Sequence, residues 1–484
     1  MRLIYKIIFS LALLAGTGLL TWAQTQNSLY FLNGIPQSNR VNPARSPDCG
    51  FYIGIPILSP ISTQITSDPL AYEDVIYPHP TEDSLITFLH PLGDQEAFLN
   101  TLQPLNVVLA DTRTSVLSIG FGTGAGFFTL DLTTRAEASL YFPGDLARLV
   151  LEGADEGGVY NMDGMGPDLS GFDEIAVGWS KAFGSRWQVG IRGKALFGFG
   201  NLSVTRSELE VTTSEELWNI QADMEFSASL PFAEVVYDED GMIEDIIIED
   251  DISSTRPGAI FKEAFNSKNF GLAVDLGVDY RPTDRWLISA SVLDIGYIHW
   301  TDEVHKMSFK TDYDFTGLEV NPLDFTGDLD FGDYVDSSFS AMGDSLAGEL
   351  VFSPGGAYNS HLNPKLYVGA SWWATPSINF GLLSRTDFLR ETIFEQLTAS
   401  ANFAAGRILN FTLSYTYMTS NWKNLGAGIS LNAGPVNIYA ISDNTLNMIF
   451  WTEEAKSVNL WFGMNLVFGY KKCQNLDTDR PLVY

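Results

Sequence analysis

Apolar residues recur at every second position over long stretches of this chain. Phe270, Leu272, Val274, Leu276, Val278 and Tyr280 are apolar, with Gly271, Ala273, Asp275, Gly277, Asp279 and Arg281 between them. Leu409, Phe411, Leu413, Tyr415 and Tyr417 alternate with Asn410, Thr412, Ser414 and Thr416. Val458, Leu460, Phe462, Met464, Leu466, Phe468 and Tyr470 alternate mostly with Asn459, Gly463 and Asn465. Successive side chains of a strand point to opposite faces, so the pattern predicts strands with one apolar face and one small or polar face. A soluble β-sandwich alternates too. These segments are longer than sandwich strands, which average about six residues. Their second face is rich in Gly, Ser, Asn and Thr, as a barrel lumen would be, and short connections alternate with long ones.

Tight turns fall near Gly122–Gly124, Phe183–Ser185, Pro282–Asp284, Thr375–Pro376, Ala405–Gly406 and Gly434–Pro435. Each joins two alternating segments. The six hairpins, an isolated strand at Phe51–Leu58 and a last one at Val458–Tyr470 predict an all-β fold. It is a single antiparallel transmembrane β-barrel of about fourteen strands, covering residues 50–470. Short turns face the periplasm in such barrels, which puts both chain ends there. The long connections 59–104, 142–170, 205–267 and 301–356 then face outward, with some strand continuing above the membrane and a short helix at Asp145–Leu151. Two of them are acidic: Glu234–Asp251 holds nine acidic residues and no basic one, and 301–356 holds twelve against Lys306 and Lys310. Trp187 and Trp286 each follow a basic residue at the start of a strand, the place of an interface aromatic. Trp300, Trp372, Trp373 and Trp422 are assigned to the same belts. Arg192, Lys194, Asp275 and Asp279 point into the lumen by alternation. Their mixed signs fit a narrow or plugged lumen with internal ion pairs better than a pore selective for one sign of charge.

The N-terminus changes the picture of where the protein goes. Arg2 and Lys6 precede the apolar run Ile7–Leu20, and Thr21-Trp22-Ala23 precedes Gln24. This reads as a cleaved secretory signal, residues 1–23. It is the one apolar run near the length of a membrane helix, so a helical bundle is excluded. Residues 24–49 follow as a plug-like segment. Leu29, Tyr30, Phe31, Leu32 and Ile35 make it too apolar for a free tail, so it is placed at or in the periplasmic mouth of the barrel. Residues 471–484 form a periplasmic tail. Cleavage of the signal takes the formal charge from −31 to −33, which disfavours nucleic acid as a partner.

Candidate chemistry is sparse. The two cysteines, Cys49 and Cys473, flank the first and last strands, which are neighbours in a closed barrel, and in an oxidising compartment they are a disulfide candidate. Five histidines occur without a metal-ligand spacing, and Asp328, Asp330, Asp333 and Asp336 lack the order of a calcium loop. No nucleophile elbow is present. The chain is read as no enzyme, with no cofactor, no metal site and no catalytic residue.

The stretch Leu29-Tyr30-Phe31-Leu32-Asn33-Gly34-Ile35-Pro36-Gln37, followed by Asn42-Pro43-Ala44, resembles the start of a Bacteroidota outer-membrane barrel family of unassigned function. Ser291-Val292-Leu293-Asp294-Ile295-Gly296-Tyr297-Ile298-His299-Trp300 is similar to a second motif of that family. More distantly the chain is similar to the fourteen-stranded long-chain fatty-acid transporter barrels (FadL and PorV types) and to SprF- and PorP-type barrels. The resemblance implies an N-terminal segment that enters or plugs the lumen. It carries over no ligand-site residue. The sequence reading is an outer-membrane protein in contact with outer-membrane lipid. It puts first a binding or scaffold component of a cell-envelope complex of secretion or motility type, with envelope or secreted proteins as partners. The alternative is a transporter of small hydrophobic molecules.

Overall fold

The computed structural model describes residues 27–469 apart from 33, 48–49, 57, 59, 69, 71, 80, 82–83, 215–216, 232, 238–242, 249–266, 316–349, 407, 419–420 and 444–456. The expected signal peptide, both cysteines, the C-terminal tail and the candidate calcium aspartates lie outside the described residues.

Fourteen strands close into an antiparallel barrel. Strand β1 is in two parts, Phe51–Gly54 and Ile61–Asp68. The wall continues with β2 (Leu105–Thr123), β3 (Gly126–Pro143), β4 (Gly166–Phe183) and β5 (Trp187–Thr213). Next come β6 (Phe270–Thr283), β7 (Trp286–Trp300), β8 (Lys365–Thr375), β9 (Ile378–Phe388) and β10 (Ile393–Ala405). It ends with β11 (Leu409–Met418), β12 (Asn421–Ala433), β13 (Val436–Ser442) and β14 (Ser457–Phe468). Each strand pairs with its neighbours in sequence. Both parts of β1 pair with β14, and Phe51 faces Phe468, so no edge is left open. All six predicted turns are the short hairpins of this barrel.

One boundary differs from the sequence reading. The outward connection was expected to start at residue 59, yet Ile61–Asp68 belongs to the wall and pairs with β2 and β14. Pro56 and Pro60 supply no backbone donor and interrupt β1. The strand resumes with Ser62, Gln64 and Thr66 pointing inward, and too few apolar residues mark its outer face for alternation to reveal it.

The outer face of the wall is apolar. Strand β10 alternates without a break, with Leu397 and Phe403 outside and Thr398, Ser400 and Asn402 inside. Val177, Ile191, Leu272, Leu276, Ile288, Val368, Leu382, Leu413 and Ile429 extend the exposed belt around the barrel. Such an area in contact with water would be costly, whereas contact with lipid requires it. This is the surface of an outer-membrane barrel, whose described strands each pair with a neighbour on both sides. Above the membrane β5 runs on and pairs with Trp218–Ser229, which pairs with Val304–Phe315. The helix Gly144–Leu151 caps the loop between β3 and β4.

Candidate functional site in the barrel lumen

Inside the barrel the polar strand faces meet the N-terminal segment. Residues 27–46, called the hatch here, hold two short 3-10 turns, Ser28–Tyr30 and Pro36–Arg40. The backbone N–H groups of Asn27 and Ser28 donate to the Asp443 carboxylate at 2.9 and 2.8 Å. Asn27 Nδ2 donates to Gln396 Oε1 at 2.7 Å. Gln37 and Asn465 exchange two amide hydrogen bonds, 2.7 and 3.0 Å. Arg40 donates to Ser115 Oγ at 2.7 Å and pairs with Asp131 at 3.0 Å. Asn42 donates to Asp279 Oδ1 at 2.8 Å, and Ser291 Oγ donates to the Val41 carbonyl at 2.6 Å. The hatch's apolar residues Leu29, Tyr30, Phe31, Leu32, Ile35 and Val41 pack on Leu293, Tyr367, Leu383, Tyr439, Ile441 and Trp461 of the wall.

Glycines let the hatch approach the wall this closely. A Cβ at Gly190 would lie 2.0 Å from the Pro43 carbonyl oxygen, and one at Gly381 would lie 2.1 Å from Phe31 Cε1. Both positions face the lumen, where any larger residue would displace the hatch.

The lumen also carries buried charges. Asp294 is the centre: its carboxylate meets Arg135 Nη1 at 3.0 Å, Lys194 Nζ at 2.5 Å and Lys365 Nζ at 3.4 Å. Lys194 also reaches Asp275 at 2.7 Å. Arg135 pairs with Glu174 at 3.0 Å and with Glu137. Arg192 joins Asp131 at 3.0 Å to Glu174 at 3.4 Å. Through Asp131 the chain of ion pairs runs on to Arg40 of the hatch. Ile295 and Leu276, neighbours of Asp294 and Asp275 in sequence, are exposed on the lipid side, so the cluster lies within the apolar belt. Charges at this depth persist only when paired and hydrogen-bonded.

Arg192, Lys194, Asp275 and Asp279, assigned to the lumen from alternation, are all buried inside it. The first three sit in the cluster, while Asp279 serves the hatch through Asn42 and, at 3.9 Å, Arg45. Trp187 and Trp286 are about half exposed, near 48% and 46%. Trp187 packs on Tyr280 with ring centroids 4.3 Å apart, and Trp286 on Trp372 at 6.5 Å. Trp300 is a correction: assigned to an outer belt, it is fully buried and donates from Nε1 to Ser360 Oγ at 2.7 Å. The reason is a bulge opposite Asp275, where Leu293 and Asp294 both point inward and shift the phase of the strand. Asp294 takes φ +60 there. Strict alternation would send Asp294 to lipid, so the central residue of the cluster escaped the sequence reading. An Asp in a lipid-facing position was the available signal.

A small, half-open recess between the hatch and strands β3 to β5 is lined by Asn39, Arg45, Thr129, Trp179 and Arg192. No group of residues able to hold a metal is found among the described residues.

A closed fourteen-stranded barrel with an apolar belt and a segment of its own chain packed in the lumen defines a plugged outer-membrane barrel. Within that class, the chain belongs to a family of unknown function, DUF5723, whose model matches residues 43–443. No curated protein matches it. Among solved structures it is similar to the toluene transporter TbuX of Ralstonia pickettii, with 9% identity, 93% of this chain and 99% of that chain covered, and a TM-score of 0.38. A FadL homologue of Pseudomonas aeruginosa gives 8%, 92%, 98% and 0.39. The toluene transporter TodX of Pseudomonas putida gives 8%, 93%, 99% and 0.39.

Proposed function

We propose that this barrel passes small, mainly apolar molecules across the outer membrane, and that the structure is its closed state. One observation carries the reading. The hatch covers an apolar strip of the lumen, Leu293, Tyr367, Leu383, Tyr439, Ile441 and Trp461, and is held over it by side-chain contacts. Withdrawal of the hatch would uncover that strip in a lumen otherwise lined by polar residues and paired charges. The strip suits an apolar solute, and the lumen charges are paired with opposite signs and so do not select ions of one sign.

The sequence reading put a scaffold role first, on its long acidic outer segments and its resemblance to secretion-linked barrels. The lumen reorders the two readings. A scaffold needs only an outer surface and has no use for a non-covalent hatch over an apolar strip. Uptake of an apolar fluorophore that lipopolysaccharide excludes, such as N-phenylnaphthylamine, tests the proposal in intact cells. Cells expressing the barrel should take it up faster than vector-only cells. Equal rates, with folded barrel present in the outer membrane, would sink the reading.

A further inference from the structure

The hatch side chain Tyr30 fills a slot made by two wall residues, Tyr367 and Ser289, and by Arg45 of the hatch itself. Its ring stacks on Tyr367 of β8, with centroids 5.7 Å apart and planes 7° apart. The Arg45 guanidinium stands over the ring at 4.0 Å. Its hydroxyl donates to Ser289 Oγ at 2.8 Å. The ring is 2% exposed. Behind Tyr367 stands Arg385, 5.6 Å from the ring centroid and held by Asp387 at 2.7 Å. The wall thus meets the ring and the polar tip of a phenol with separate groups, and a cation completes the slot.

The local structure that holds Tyr30 in place is slight. Tyr30 ends a single 3-10 turn with no side-chain cap, a local structure of low intrinsic stability.

We propose that Tyr30 is a built-in stand-in, and that the slot on Tyr367 and Ser289 takes a monocyclic aromatic carrying a hydroxyl. Such a solute would displace Tyr30 and loosen the hatch. The inference rests on the transport reading for its purpose, while its test needs only purified protein.

The probe is p-cresol, the tyrosine side chain as a free molecule. A reporter thiol is placed on the hatch as Ile35→Cys, in a Cys49→Ser, Cys473→Ser background, and maleimide labelling of the folded barrel is followed in detergent. Saturating p-cresol should speed labelling at least about threefold. Toluene, lacking the hydroxyl, should need about 3- to 10-fold higher concentration for the same effect. Tyr367→Ala should abolish the response to p-cresol, and Ser289→Ala should erase the difference between the two probes. Tyr30→Ala should label fast without any probe. Labelling unchanged by p-cresol overturns the proposal, and so does an equal response to both probes. If Tyr367→Ala does not fold, the comparison of probes on the reporter protein still decides. Fluorophore uptake by cells without a p-cresol response would leave transport standing and remove this site.

Discussion

Asp294 shows how one residue organises this lumen. Its φ of +60 is uncommon for a residue with a side chain, although Asp is among those that tolerate it. The bulge turns the carboxylate inward, where Arg135, Lys194 and Lys365 share it. Asp294 Nα–H donates to Asp275 Oδ1 at 2.8 Å, so the second carboxylate of the cluster also steadies the bulge. Removing one member of a buried pair leaves uncompensated charge and costs about 3–5 kcal/mol. Asp294→Ala should therefore destabilise the barrel by about that amount in denaturant unfolding from detergent. Arg206→Ala, which removes a pair with Asp223 on the outer extension, should leave stability nearly unchanged, because that pair is exposed and Asp223 keeps Lys310. Equal losses in the two variants would mean that the Asp294 cluster is hydrated and of little structural weight.

At the level of elements, the register of β14 sets what each face tolerates. Met464 lies on the outer face and pairs with Ile438, in the apolar belt. Met464→Arg puts a charge toward lipid and should cost about 2–4 kcal/mol if it sits at the bilayer midplane. From sequence alone, Asn465→Arg on the lumen face would be mild. The hatch reverses that expectation, because Asn465 is fully buried and holds Gln37. Asn465→Arg should fold but expose the hatch, seen as faster proteolysis between residues 27 and 46 with an intact barrel. The closing seam makes a second prediction at this scale. Phe51 faces Phe468, and Gly50 lies against Gly469, so the chain leaves both seam strands at one end. Cys49 and Cys473, outside the described residues, are expected to form a disulfide across it. Alkylation under denaturing, non-reducing conditions should label neither thiol in protein taken from the outer membrane. Two labelled thiols would remove the bond.

The whole molecule is a wall, a hatch and a layer of ion pairs in series. The hatch and the layer are joined where Arg40 meets Asp131 and Asp131 meets Arg192. A lumen filled in this way should be silent in a planar bilayer. Asp443→Ala removes the acceptor for the backbone of Asn27 and Ser28, the outermost anchor of the hatch. That variant should show intermittent conductance where the native barrel shows none, with unchanged heat-modifiable migration on gels. Steady large conductance in the native barrel would contradict a closed state.

The sequence by itself determined the wall. A membrane-facing strand must be apolar on one side throughout, and each β-turn must be short on the periplasmic side, so strand number, turn positions and inward charges such as Lys194 and Asp275 are all written locally. The apolar run Leu29–Leu32 likewise signalled a segment that needs cover. The tertiary structure decided what local pattern cannot carry. The bulge that turns Asp294 and Trp300 inward depends on the pairing of β7 with β6, not on either strand alone. The split of β1 is visible only because both halves pair with the same neighbours. The hatch's partners, Gln396, Asp443 and Asn465, lie more than 360 residues away in sequence. Periodicity tells which face a side chain takes, but only closure of the barrel brings distant strands around one lumen and decides which charges meet there.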